Sequence, residues 1–239
     1  MLLVITGCDW HGAAYPSEPD AGSLVVHGML AEGAPEQEII LEYTRRLDEG
    51  YYRGLTPASG AHITVTGKET HAFREDPKHP GVYRASFVPH RGERYTLRIE
   101  GPAGESVTSQ TEVPGSPQLI SPGADTVIRW GEHVTVRWSS VPAAAGYVLI
   151  DRPPGEPGLL RALSYPNVLR DTSLIMQPGK LGGTSFHIRV VAVDANYRWY
   201  RTGEISDPEE RSRTRSTVEG GYGLFGSFSI GNSRLISLQ

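Results

Sequence analysis

Arg94-Tyr95-Thr96-Leu97-Arg98-Ile99 alternates polar and apolar residues without a break. Successive side chains of a strand point to opposite faces, so Tyr95, Leu97 and Ile99 share one face and the two arginines the other. The same texture recurs on either side. Leu24 to Leu30, Glu36 to Tyr43, Ala61 to Thr66 and Val82 to Val88 read as strands before it. Leu119 to Pro122, Val134 to Trp138, Gly146 to Ile150, Ser173 to Met176, Phe186 to Val193 and Leu224 to Leu238 read as strands after it. Turn formers punctuate the runs at Gly33, Pro57 to Gly60, Pro80-Gly81, Arg91-Gly92 and Gly101-Pro102. Short strands at this spacing, without amphipathic helices, predict an all-β chain of sandwiches.

Pro114-Gly115-Ser116-Pro117 is the strongest interruption. Two prolines cannot continue a ladder, so a linker is expected over 114–117, between one sandwich at 23–113 and another at 118–239. Each half carries its own alternating strands and aromatic residues, and each is expected to bury a separate core. Val134, Val136 and Trp138 share a face, which places Trp138 in the second core.

Composition agrees. The 28 Gly and 18 Pro among 239 residues suit frequent turns. No run approaches the ~20 apolar residues of a membrane-spanning helix. A net charge of -4 argues against a nucleic-acid partner, whose binding surface is normally basic.

The chain's one cysteine closes the apolar run Met1 to Cys8, which ends Ile5-Thr6-Gly7-Cys8. This resembles the bacterial lipobox, in which small residues precede a cysteine that becomes lipidated. The resemblance implies a signal remnant over 1–8, a lipid anchor at Cys8, a tether over 9–22 and a place in the bacterial cell envelope at the outer membrane. The apolar run is shorter than the usual ~7–15 residues and lacks a basic start, which an upstream start codon would supply. The other reading of the same run is a buried N-terminal strand with a free thiol. With one cysteine there is no disulfide framework, and each core must hold itself.

Pro57-x-x-Gly60-Ala61-x-Ile63-x-Val65, Gly81-x-Tyr83-x-Ala85 and Gly92-x-x-Tyr95-x-Leu97-x-Ile99 resemble the carboxypeptidase-regulatory, transthyretin-like sandwich. Trp138 and Tyr147, followed by Leu174, Pro178-Gly179, Phe186, Ile188, Val190 and Ala192, resemble the fibronectin type III pattern. Phe186 stands where that family carries a corner tyrosine. Two stretches are extra, 152–171 and 194–223. The ending Glu219-Gly220-Gly221-x-Gly223-Leu224-Phe225-Gly226-Ser227 is similar to the closing motif of a Bacteroidetes-type lipoprotein family of unknown function that combines these two Ig-like sandwiches.

Catalytic and metal patterns are missing from the sequence. There is no Gly-x-Ser-x-Gly elbow and no pair of histidines at ligand spacing. His62, His133 and His187 fall at outward strand positions. The acidic runs Arg74-Glu-Asp76 and Asp207-Pro-Glu-Glu210 read as solvated loops, and no cofactor or metal is expected. One feature stands out: Tyr197, Trp199 and Tyr200, with Tyr222, in an inserted loop. Read as extended chain, the stretch puts Tyr197 and Trp199 on one side and Tyr200 on the other. The aromatics either form a platform for a carbohydrate, a peptide or an envelope protein, or fold inward over the end of the second sandwich. Three function classes follow. One is a non-catalytic binding or assembly accessory working with a TonB-dependent outer-membrane transporter, and another is a structural spacer or adhesion-type module. A hydrolase is the third and least supported class.

Overall fold

The computed structural model describes residues 22–45, 55–152, 161–164, 168–181, 184–202 and 216–239. Cys8, the tether up to Ala21 and the acid-base run from Glu204 to Arg215 lie outside the described residues. The described residues are all β apart from one short α-helix and a 3-10 turn at Pro178–Leu181.

The first lobe contains β1 (Leu24–Ala31), β2 (Glu36–Tyr43), β3 (His62–Thr66), β4 (Thr70–Glu75), β5 (Val82–Ser86), β6 (Arg94–Glu100) and β7 (Ser106–Glu112). They are ordered β1-β2-β5-β4-β3-β6-β7, and β4 pairs with both β5 and β3 as the ladder turns from one face of the sandwich to the other. Alternation works as the sequence implies: Tyr95, Leu97 and Ile99 of β6 are buried against Leu24, Val26, Ile39, Leu41, Ile63 and Val65.

Local bonds fix the turns around this core. The buried Tyr83 hydroxyl donates to Ala58 O at 2.6 Å and accepts from Ala61 N–H at 2.9 Å, so it pins the Gly60-Ala61 entry to β3. Both carboxylate oxygens of Glu75 accept backbone N–H groups, from Gly60 at 2.9 Å and Gly81 at 2.8 Å. Both glycines have positive φ, a conformation that costs other residues energy. Burial pushes the Glu75 carboxyl up, but donation from Gly81 and Gly60, with Ser59 and Tyr83, outweighs it and lowers the carboxyl below its ordinary value.

Asp76 sits beside this in a charged cluster. His79 Nδ1 lies 2.8 Å from its carboxylate and Arg84 Nη1 2.5 Å, while Arg84 Nη2 also donates to Glu38 at 2.9 Å. The His79 bond, then the Lys78 N–H, hold the Asp76 carboxyl down at about 2. A lowered carboxyl contributes stability above its unfolded value, lost as pH falls through the folded one. Acid denaturation of Asp76→Asn should therefore be flatter than wild type between pH 3.8 and about 2. Melting temperatures at stepped pH check this; superimposable acid limbs would contradict it.

The second lobe contains β8 (Leu119–Ser121), β9 (Thr126–Ile128), β10 (Val134–Trp138), β11 (Gly146–Arg152), β12 (Arg161–Ala162), β13 (Ser173–Met176), β14 (Ser185–Val193), α1 (Ala195–Thr202) and β15 (Tyr222–Leu238). A three-stranded sheet, β13-β10-β8, faces the sheet β12-β11-β14-β15. Trp138 is 2% exposed and meets Tyr147 edge-on at 5.7 Å, and Phe186, Ile188, Val190 and Ile236 pack into the same core. His62 and His187 face outward as their strand parity requires, and His133, just ahead of β10, is exposed outside the strand expected for it.

β15 joins the lobes. Its C-terminal half pairs antiparallel with β14, Phe228 opposite Val193 and Ser237 opposite Ser185. Its N-terminal half pairs parallel with β1, from Tyr222 opposite Val25 to Phe228 opposite Ala31. One sheet therefore runs through both sandwiches. The expected boundary at 114–117 falls between β7 and β8, yet Val218 and Phe225, on the far side of it, pack into the first core. The physical cause is the glycine-rich ending. A Cβ at Gly220 would stand 2.0 Å from Ser106 O, and one at Gly223 2.1 Å from Val26 O, so only glycine lets this segment press against β7 and β1. Glycine serves close backbone packing there.

Candidate functional site

The expected aromatic loop is a helix. Asp194 is its N-cap: Oδ1 accepts the Tyr197 N–H at 2.9 Å, and Asp194 O accepts the Arg198 N–H at 3.2 Å, the first bond of α1. Helical spacing overturns the two-sided strand reading. Tyr197 and Tyr200, three residues apart, fall on one side and are half-buried, whereas Trp199 points away and is 44% exposed. Tyr222 is not part of this group by chain position; it opens β15 beside Val25. None of the four rings is in stacking or edge contact with another described aromatic residue. A helix signal was present in Asp194 followed by aromatics at 197 and 200, a spacing that a strand period hides.

The helix is bolted to both lobes. Thr111 Oγ1 donates to Asp194 Oδ2 at 2.5 Å and lies 2.7 Å from Ser227 Oγ. Asn196 Nδ2 donates to Gln110 O at 2.6 Å and to Phe225 O at 2.8 Å. Ser227 Oγ donates to Glu112 O and Ser229 Oγ to Pro114 O. Thr108 and Glu219 exchange backbone bonds, and Ser109 Oγ donates to Thr217 O. The outer edge of β7 is thus sealed by the segment from 217 to 229 and by the helix N-terminus. A sheet edge left open is a template for unwanted pairing, and this seam closes part of it. Asp194 is 3% exposed within the seam. Burial pushes its carboxyl up, against the donation from Thr111, Tyr197, Ser227 and Asn196.

These polar groups are occupied by structural bonds, and the arrangement holds no nucleophile paired with a base. Among the described residues, no group of three or more His, Cys, Asp or Glu side chains is placed to hold a metal ion, and no helix is long and apolar enough to cross a membrane. What the site offers is a rigidly held helix presenting an exposed indole at the junction of two sandwiches. An aromatic side chain loses little conformational freedom when it becomes an interface anchor.

The model of DUF4249, a domain of unknown function, matches residues 14–234. No curated protein matches the chain. Among solved structures, the fibronectin(III)-like modules of Clostridium thermocellum CbhA are 11% identical, over 87% of this chain and 90% of that one, with a TM-score of 0.25. The IG1+IG2 structure of DIP-gamma is 12% identical over 91% and 97%, with a TM-score of 0.21. A chimeric titin Z1Z2 is 11% identical over 92% and 98%, with a TM-score of 0.23. Likeness at this level carries no weight for function.

Proposed function

The chain belongs to the DUF4249 family, and from that premise we propose that it is a non-catalytic binding or assembly accessory of the bacterial cell envelope. In this reading it is lipid-anchored at Cys8 and works beside a TonB-dependent outer-membrane transporter. The observation that supports it best is Trp199, 44% exposed on a helix whose first turn is held by Asp194 and Asn196. An exposed aromatic on a fixed support is the usual centre of a protein interface, where single anchors contribute ~2 kcal/mol or more.

The test measures melting temperature and partner recovery from native envelopes for the same variants. Trp199→Ala should keep its melting temperature within a degree or so of wild type while losing most of the captured partner. Tyr200→Ala, half-buried, should lose stability as well. Loss of stability at Trp199 with undiminished capture would retire the interface. A spacer is the second reading, and the sheet that continues through both sandwiches favours it. That reading expects neither variant to change capture.

A further inference from the structure

Between the β3–β4 turn and the loop ahead of β6, the first sandwich carries a groove of about 510 Å3. That volume lies in the ~300–1,000 Å3 range of small-ligand sites. Its floor is aromatic. The Phe87 ring sits 6.1 Å from Phe73, edge-on, and 6.0 Å from Tyr95. His71 lies flat on Phe87, with ring centroids 4.0 Å apart and planes 4° from parallel. Val88, 41% exposed, extends the apolar wall.

The walls are set before any ligand arrives. The Lys68 N–H donates to Glu93 Oε1 at 2.6 Å, tying the β3–β4 turn to the loop ahead of β6. Gly67 allows this approach, since a Cβ there would stand 2.5 Å from Glu93 Oε1 and 2.6 Å from the Tyr95 ring. On the other side the His90 N–H donates to the Tyr95 hydroxyl at 3.1 Å, the Gly92 N–H to Val113 O at 2.8 Å and the Val113 N–H to Glu93 O at 3.0 Å. A groove held this way loses little entropy when occupied.

Several polar groups around it are unused. Among the described residues, the Lys68 ammonium, the Glu69 carboxylate, the ring nitrogens of His71 and His90 and the Ser86 hydroxyl have no hydrogen-bond or ion-pair partner. With the Glu93 carboxylate in the same lining they bring one positive and two negative charges, which disfavours an anionic ligand, and they offer both donors and acceptors. An aromatic and aliphatic floor beneath balanced donors and acceptors matches a molecule with an apolar face and a ring of hydroxyls. We infer that the groove between His71, Phe87 and His90 binds a neutral saccharide, stacked along the floor and hydrogen-bonded at the rim by Lys68 and Glu69.

The site is separate from Trp199, so its test does not depend on the proposed interface. Labelled full chain is titrated with maltotriose, cellotriose and tri-N-acetylchitotriose while the amide and ring resonances of His71, Phe87 and His90 are followed by NMR. At least one of the three should shift these resonances saturably. His71→Ala should weaken that binding about tenfold, the loss of roughly one aromatic contact. Lys68→Ala, which alters only an exposed side chain, should weaken it without moving the melting temperature, and so guards against a folding defect in the first variant. No saturable shift with any of the three sugars overturns the assignment. So does sugar binding that both variants retain in full, or a response only to an uncharged tripeptide such as N-acetyl-trialanine amide.

Discussion

Phe225→Ala is expected to destabilise the protein by about 3–5 kcal/mol, the usual cost of emptying a buried aromatic site. The ring is fully buried in the first core although it belongs to the last strand. Its room comes from Gly28, its register partner on β1: a Cβ at Gly28 would stand 3.3 Å from the Phe225 ring and 3.1 Å from Ile39. Collapse cannot refill the space cheaply, because Gly28 has no side chain to move into it. The loss should register first in the lobe before the linker. Near-ultraviolet dichroism and amide exchange would show β1 and β2 opening ahead of β10 and β14. Equal protection of Val26 and Leu41 in the variant and wild type would contradict this packing.

Asp194→Ala is expected to cost about 2–4 kcal/mol. A lost N-cap accounts for ~0.5–2 of it, and loss of the hydrogen bond that the buried Thr111 hydroxyl donates to the carboxylate at 2.5 Å for ~1.5–3. Asp194→Asn should rescue most of this, because asparagine caps helices well and the Thr111 hydroxyl can reverse its bond. The pH dependence separates charge from geometry. Burial raises the Asp194 carboxyl above 3.8, so the folded state holds that proton more tightly than the unfolded chain. Its contribution is fully present below the unfolded value and is lost as pH rises through the folded one. The stability of Asp194→Asn relative to wild type should therefore increase as pH climbs from 3.8. A constant difference across that range would show that the carboxyl titrates normally.

The strands that face a dry core were legible in the sequence, because period-two alternation writes burial directly into residue type. β6, β10 and β14 all show it. β4 and β7 did not, for a physical reason. The inward row of β7 is Val107, Ser109 and Thr111, and the inward row of β4 is His71, Phe73 and Glu75. Their polar members face a seam, a groove or two glycine turns rather than hydrocarbon, so no apolar alternation marks them. α1 was hidden for a different reason: eight residues with three aromatics read equally well as strand until the Asp194 cap is recognised. Sharing of β15 between the lobes is non-local, and its one trace in the sequence is the run Gly220, Gly221 and Gly223, whose meaning needs β1 and β7 in place. Of the candidate site, Trp199 could be named from the sequence, but its separation from Tyr197 and Tyr222 could not.

That sharing makes the first lobe depend on residues beyond the linker, which supply Val218 and Phe225 to its core and Thr217, Ser227 and Asp194 to its edge. The most direct measurement is the amide NMR spectrum and thermal melt of a fragment covering 22–117. It is expected to give a poorly dispersed spectrum and no cooperative transition, because its β1 edge and β7 edge are both stripped. A dispersed spectrum with a cooperative melt close to that of the full chain would contradict the shared strand as the element that holds the first sandwich together.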